Sequence, residues 1–286
     1  MKVLVATDGS KYGQWGLNWV AKLPFVKPPR VTVLHVLDLR ALRAPFLSQL
    51  VMAGNERYIQ EGIQRLEACS TRTLEEATQQ LTSLKLTGTA RKEQGAVAPT
   101  ILKHAPKRDG LLVVGNQGLA AIDRFMLGSV STKLIQHATC PVLVVKNKAV
   151  PLRRIALATD GSDASAKALE FVLTKFQADR SIGKDGRAPI HVSVIHVMPF
   201  SNYRELKDAR KLLKQSVRKL IKAGFAAEAI CQSGKPAEVI MKVAAKQHAN
   251  LIVMGAQGLG AIARFLIGSV STRVVQHANC SVLVVR

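Results

Sequence analysis

The sequence predicts an α/β protein of two doubly wound domains. Each is expected to be a Rossmann-like five-stranded parallel sheet of order 3-2-1-4-5, and the pair forms a pseudo-twofold tandem repeat. Three observations predict this. A long segment occurs twice, short apolar β-rich runs alternate with helical patterns, and one glycine spacing follows an apolar run in both halves.

The repeat is direct. Leu111–Thr132 recurs as Leu251–Thr272, with about two positions in three identical. The match continues through Gln136-His137-Ala138 and Gln276-His277-Ala278 into Val142–Val145 and Val282–Val285. Ala6-Thr7-Asp8-Gly9-Ser10 answers Ala158-Thr159-Asp160-Gly161-Ser162, and Leu34-His35-Val36 answers Ile195-His196-Val197. The offset is 152 from Asp8 to Asp160 and 140 from Gly115 to Gly255, so the first half carries extra residues, placed around Leu39–Glu56. Asn147–Pro151 reads as a short proline-bearing joint, giving domains over 1–147 and 152–286.

In chain order, Val3–Thr7 and Val31–Leu37 read as strands. A long helical pattern over Glu61–Leu84 follows, then a third helix over Thr100–Lys107. Pro106 falls inside that helix, where it should kink or end it. Leu111–Gly115 and Val142–Val145 are the last two strands, with a helix over Ser129–His137 between them. Strands that are nearly all apolar and separated by helices form parallel sheets covered on both faces. Right-handed crossovers then wind the domain doubly.

Composition sets outer bounds. The chain has 286 residues, 48% of them hydrophobic, enough for two cores. No run approaches the roughly 18 apolar residues of a membrane helix, and the start reads as no signal peptide. A soluble cytoplasmic protein without a membrane partner is the expectation. Cys69, Cys140, Cys231 and Cys280 show no C-x-x-C spacing, so neither zinc nor dithiol chemistry is expected. Cys140 and Cys280 are read as buried core thiols. The formal charge of +22 is spread over both halves and favours anionic ligands.

The candidate site lies where strand order reverses, between the first and fourth strands. Asp8 ends the first strand and Gly115 the fourth, so both motifs converge on one crevice. The loop reads Gly115-x-x-Gly118, nine residues, then Gly128-Ser129-Val130-Ser131; the second half repeats it as Gly255-x-x-Gly258, nine residues, then Gly268-Ser269-Val270-Ser271. Gly115 and Gly118 are read as letting backbone approach a ligand and adopt positive φ. Gly128 stands at a helix start, whose N–H groups and dipole suit phosphate. Ser129 and Ser131 add hydroxyls for a phosphate or a metal's water shell. In the competing reading the glycines only shape a turn and Ser129, Asp8 and Asp160 only cap helices.

The pattern G-x2-G-x9-G-[ST], after a strand ending in aspartate, resembles the universal stress protein family in its tandem form. The resemblance covers nearly the whole chain. It implies the doubly wound fold and, as in many members, binding of ATP, with Mg as an accompanying ion. Carried over by position, it implies adenine and ribose contacts at Thr7, Asp8 and Val36, and at Thr159, Asp160 and Val197. It implies ribose and phosphate contacts at Gly115, Gly118, Gly128, Ser129, Val130 and Ser131, and at Gly255, Gly258, Gly268, Ser269, Val270 and Ser271. It also implies pairing through the last strand, so Val142–Val145 and Val282–Val285 are expected to form an intramolecular pseudo-dimer, with a homodimer as the other outcome.

The function expected is that of a nucleotide-binding stress-response protein, a sensor or switch. An efficient enzyme is not expected: there is no G-x4-G-K-[ST] loop, no loop lysine and no evident base, so no catalytic residue and no metal site is assigned. A slow ATPase is one alternative. The other is a nucleotide-independent module using basic surface for nucleic acid or an acidic protein. Arg124 and Arg264 are weak phosphate-clamp candidates. His137 and His277 are read as helix-face packing, and His35 and His196 as packing near the crevice. Lys207, Arg210, Lys211, Lys214, Arg218, Lys219 and Lys222 crowd one helix, with Leu213, Val217, Leu220 and Ile221 assigned to its other face. A solvated basic face is the default, and nucleic acid the less favoured partner. The protein partner is not specified by the sequence.

Overall fold

A computed structural model describes residues 1–40, 56–107, 109–118, 127–178, 189–198, 203–258 and 267–286. The extra residues of the first half and both arginines, Arg124 and Arg264, lie outside these apart from the fringe at Leu39, Arg40 and Glu56.

The first half runs β1 (Lys2–Thr7), α1 (Lys11–Lys22), β2 (Arg30–Leu37), α2 (Glu56–Ser83), β3 (Gly88–Gln94), α3 (Val97–His104), β4 (Leu111–Gly115), α4 (Ser129–His137) and β5 (Val142–Val145). The second half repeats it as β6 (Arg154–Ala158), α5 (Asp163–Lys175), β7 (His191–Met198), α6 (Tyr203–Lys222), β8 (Ala226–Ser233), α7 (Pro236–Lys246), β9 (Leu251–Gly255), α8 (Ser269–His277) and β10 (Ser281–Val285). Within each half the strands are parallel in the expected order. Val3 pairs with Val31 on one side and Leu111 on the other. Ile155 pairs with Val192 and Leu251 in the same way.

The two sheets are one. β5 and β10 pair antiparallel, with Leu143 opposite Leu283, and the order becomes β3-β2-β1-β4-β5-β10-β9-β6-β7-β8 across ten strands. The expected edge pairing is therefore made inside the chain, and each half covers the other's open edge. Among the described strands, β3 and β8 remain as outer edges. β3 is largely exposed and carries Arg91, Lys92 and Glu93, the kind of charge that discourages further strand addition.

Successive side chains alternate between faces. Val3, Val5, Trp19, Val113, Phe171, Leu143 and Leu283 fill one layer. Leu4, Leu34, Val114, Leu134, Val144 and Val284 fill the other. Both layers run through the seam. Further ties cross it. Val26 N–H donates to Lys175 O at 3.0 Å and Gln177 N–H to Pro24 O at 2.6 Å, flanking a Phe25–Phe176 bridge. Beyond β5, the Lys146 ammonium reaches the last turn of α8, donating to Gln276 O at 3.0 Å and Ala278 O at 2.8 Å. Beyond β10, Arg286 returns the contact to Ile135 O and Gln136 O of α4. Each cation meets the negative end of the other half's helix. Burial lowers the Lys146 ammonium to about 8.

Several local expectations change. The third helix begins earlier, at Val97, holds Pro99 in its first turn and ends at His104, so Pro106 lies beyond it. A proline is tolerated in a first turn, where no helical N–H bond is lost. His137 and His277 are exposed in the last turns of α4 and α8, where a helix favours positive charge; they are not packing residues. Ile221 is 57% exposed and belongs to the outer face of α6, because it lies on the arc between Arg210 and Lys214. Cys140 is buried, while Cys280 is partly exposed; desolvation raises both thiols to about 11.

Candidate functional site

Each site starts at the turn after the first strand of its half. Gly9 and Gly161 take φ of +83°, a left-handed conformation that suits glycine. The turn lets Asp8 Oδ1 accept from Ser10 N–H at 3.0 Å, and Asp160 Oδ1 from Ser162 N–H at 3.0 Å. The N-caps of α1 and α5 are thus Ser10 and Ser162, and the aspartates sit two residues ahead of them. The capping reading of Asp8 and Asp160 therefore gives way to a turn-holding one. Ser162 Oγ itself accepts from Ser165 N–H, at 3.2 Å.

The three glycines of each loop have different reasons. A Cβ on Gly115 would stand 2.7 Å from Tyr12 Cβ, and one on Gly255 would stand 2.6 Å from the Ala164 carbonyl carbon. These two are contact points between strand and helix. A Cβ on Gly118 would lie 2.6 Å from Asp8 Oδ2, and one on Gly258 2.5 Å from Asp160 Oδ2. The loop backbone is thereby brought against the carboxylate, so the two motifs do meet. Gly128 and Gly268 differ: the nearest atoms to a Cβ there are carbonyl oxygens at 3.4 Å, an ordinary contact. No packing reason demands glycine at those two positions. None of the six has the positive φ expected of Gly115 and Gly118; at the site that conformation belongs to Gly9 and Gly161.

Gly128 and Gly268 are the N-caps of α4 and α8, and neither offers a side-chain cap. Their own N–H groups donate to Asn116 O at 2.8 Å and Ala256 O at 2.7 Å. The first N–H groups of a helix have no partner within it, so those of Ser129, Val130 and Ser131, and of Ser269, Val270 and Ser271, converge on the space above the cap. Ser129 and Ser269 are exposed there. Ser131 and Ser271 are not available as donors: their hydroxyls turn back to Gly115 O at 2.6 Å and Gly255 O at 2.9 Å. They lock the helix start to the strand end.

The histidines fix the far wall. His35 Nδ1 lies 3.0 Å from Thr7 O, and His196 Nδ1 2.9 Å from Thr159 O. A carbonyl only accepts, so Nδ1 carries the hydrogen in each ring. The rings thus hold the strand ends, a more specific role than packing.

In the second half these elements enclose a crevice of about 860 Å³. Thr159, Asp160, Val197, Gly255, Gly258, Gly268, Ser269, Val270 and Ser271 all line it, as does His196. Met198, Ala209, Leu212 and Ile240 add an apolar wall. In the first half Thr7, Asp8, Gly115, Gly118 and Gly128 to Ser131 take corresponding places, and Val36 is 9% exposed beside them. The wall residues Ala209 and Leu212 come from α6, and motif spacing gave no sign of them. Ser162 could have been found from the repeated Asp-Gly-Ser, which sets a serine one residue before the helix.

The two sites differ in detail. Ser70 and Thr73 of α2 occupy the positions of Ala209 and Leu212, as the shared contacts of Thr73 with Gly9 and Leu212 with Gly161 show. Ser10 Oγ, Ser70 Oγ and Asn116 Oδ1 are buried without a hydrogen-bond partner. In the second half Ser162 Oγ is 2.6 Å from Asp160 Oδ1, and Ala209 and Ala256 replace the other two. The first site is the more polar.

The comparisons with known proteins point to one family. A protein described as a universal stress protein from Mycolicibacterium smegmatis is 28% identical over 303 residues, covering 99% of this chain and 96% of that one. Universal stress protein YxiE of Bacillus subtilis is 33% identical over 145 residues, covering 46% of this chain and 98% of its own. The crystal structure of a universal stress protein from Archaeoglobus fulgidus superimposes with a TM-score of 0.73 at 21% identity, covering 100% of this chain and 96% of that chain. The family model described as the universal stress protein family matches residues 1–146 and again 151–286, and the chain belongs to that family, in tandem form.

Proposed function

We propose that both crevices hold an adenine nucleotide, ATP above others, and that the protein serves the cytoplasmic stress response as a sensor or switch. Gly128 and Gly268 carry this reading. They are helix caps without a packing reason to be glycine, and they leave open the space that a phosphate chain would need. The helix dipole adds a favourable field at that place. Asp8 and Asp160 must serve the other end of the ligand, because a carboxylate repels phosphate and accepts from ribose hydroxyls. Val197, Met198, Ala209 and Leu212 offer a base an apolar wall. The exposed hydroxyls of Ser129 and Ser269 are where a magnesium ion's water shell would be met.

The test is extraction of nucleotide from protein purified without added ligand, read by mass spectrometry in the wild type and in Asp8→Ala and Asp160→Ala. The expected result is an adenine nucleotide in the wild type and about half as much in each variant. A chain that carries none, and whose melting temperature ATP does not raise, overturns the reading. Ligand at 100 times its Kd would add about 2.7 kcal/mol of stability.

A further inference from the structure

The helix between the second and third strands of each half carries a strongly basic outer face in one half and a nearly neutral one in the other. On α6, Lys207, Arg210, Lys211, Lys214, Arg218 and Lys222 are all exposed. At about 100° per residue they fall within one arc of roughly 120°, and at about 1.5 Å per residue they span roughly 22 Å. None of the six is in an ion pair among the described residues. Along Leu206–Lys222 there are seven lysines and arginines and one aspartate. On α2 the corresponding positions are Ala68, Thr71, Arg72, Glu75, Gln79 and Ser83. That face has one cation and one anion, and Arg72 is paired along the helix with Glu76 at 3.0 Å.

The contrast needs a cause. Like charges three and four residues apart cost a helix a few tenths of a kcal/mol per pair, and α6 carries several such pairs. Fold alone does not require them, since α2 fills the same place without them. A row of unpaired cations fits a partner whose negative charge repeats along a line.

We propose that the outer face of α6 is a docking surface for the phosphate backbone of double-stranded nucleic acid, read without regard to sequence. A duplex carries about one negative charge per 1.7 Å of axis, matching a continuous stripe better than scattered carboxylates do. A single strand is the poorer fit, because the helix has one aromatic residue, Tyr203 at its start, and none along Leu206–Lys222 on which successive bases could stack. An anionic membrane is poorer too. The apolar side of α6, with Ala209, Leu213 and Leu220, is buried against the sheet, and among its described side chains Ile221 is the one large apolar residue exposed to enter lipid. The crevice is lined by Asp208, Ala209 and Leu212, which fall outside that arc, so docking on the arc leaves it open.

The experiment is fluorescence anisotropy of the full chain with a labelled 20-base-pair duplex of random sequence, between 50 and 200 mM salt. Two fourfold variants are compared with the wild type. The first carries Lys207→Gln, Arg210→Gln, Lys214→Gln and Arg218→Gln. The second removes equal charge elsewhere, at the exposed Lys103, Lys133, Lys167 and Lys246. The wild type is expected to show a slope of log affinity against log salt near −4, which is a loss of a few hundred-fold over that range. The first variant should bind at least ~30-fold more weakly at 50 mM with a slope near −1, and the second should stay within about threefold. A melting temperature in the first variant no lower than that of the wild type shows that the fold is intact. Equal losses in the two variants overturn the proposal, because binding then follows net charge alone. Tighter binding of a single strand of the same length overturns it as well. So does capture by vesicles rich in phosphatidylserine when the duplex is not bound.

Discussion

At the place where α6 shows Lys207, Arg210, Lys211, Lys214, Arg218 and Lys222, α2 shows Ala68, Thr71, Arg72, Glu75, Gln79 and Ser83. Directly beneath, the two helices also differ: Ser70 and Thr73 face one site, Ala209 and Leu212 the other. The glycine loops, the glycine caps of α4 and α8 and the histidine clamps, by contrast, recur in both halves. Backbone geometry at the strand ends is thus held constant while one helix per half is free to vary. The constant part concerns what each crevice can hold, and the variable part concerns who may approach from outside.

The largest effects should separate the two kinds of glycine within a half. Gly255→Val places a side chain against the Ala164 backbone and should cost about 3 kcal/mol, or roughly 6–10 °C in Tm. At Gly268→Val the Cβ meets only ordinary contacts, so the change should cost about 1 kcal/mol for the poorer cap, yet weaken nucleotide binding at least ~100-fold. Calorimetry and ligand titration on both variants read this directly. Similar melting losses, or retained binding in Gly268→Val, would mean that the cap glycine is architecture after all.

A smaller effect distinguishes the reciprocal seam contacts. Lys146 titrates near 8 in the folded protein and from an ordinary 10.5 when unfolded. Between those values the unfolded chain holds the extra proton, so stability rises with pH; below 8 the cost of burying the charge is fully present. Cys280 opposes this above about 9, where an unfolded thiol ionises and the buried one, near 11, does not. From pH 7.5 to 9 the wild type should therefore gain on Lys146→Met by on the order of 1 kcal/mol in denaturant melts. Arg286 keeps its charge throughout, and Arg286→Met should show no such trend. Parallel curves for the two variants would remove the asymmetry.

The smallest effect lies on α6. Lys214→Glu turns three like-charge pairs, with Arg210, Lys211 and Arg218, into attractive ones and should raise Tm by about 1–2 °C. The matching exchange Glu75→Lys on α2 should lower it, since Glu75 lies four residues from Arg72's neighbour Thr71 and close to Arg72 on the helix surface. A fall for Lys214→Glu would mean that the stripe has partners within the chain.

Much of this was legible in the residues. Four strands of the first half were readable as short, continuous apolar runs, whereas β3, polar and exposed at the sheet's edge, was not, and the seam was expected from the family resemblance rather than from the residues. The meeting of Asp8 with Gly118 followed from strand order alone. The reasons behind individual glycines did not. Gly115 answers to Tyr12 on α1, a contact a hundred residues away that the G-x-x-G spacing cannot express. Ser131 looked like a ligand donor because its carbonyl partner, Gly115 O, becomes a neighbour only when the strand end and helix start are folded together. The contrast between α2 and α6 was hidden by the changing offset between the halves, which the extra residues shift from helix to helix.

The antiparallel seam of β5 and β10 bears on how such a molecule can change over generations. Two separate copies of one chain meeting at that seam would inherit every substitution twice, once on each side, and would part on dilution. A chain that contains both halves takes each substitution once and keeps its partner at any concentration. A charge acquired on one flank is then not mirrored on the other. The result is a molecule with a front and a back, and two copies of one gene product joined only by contact could not have made it.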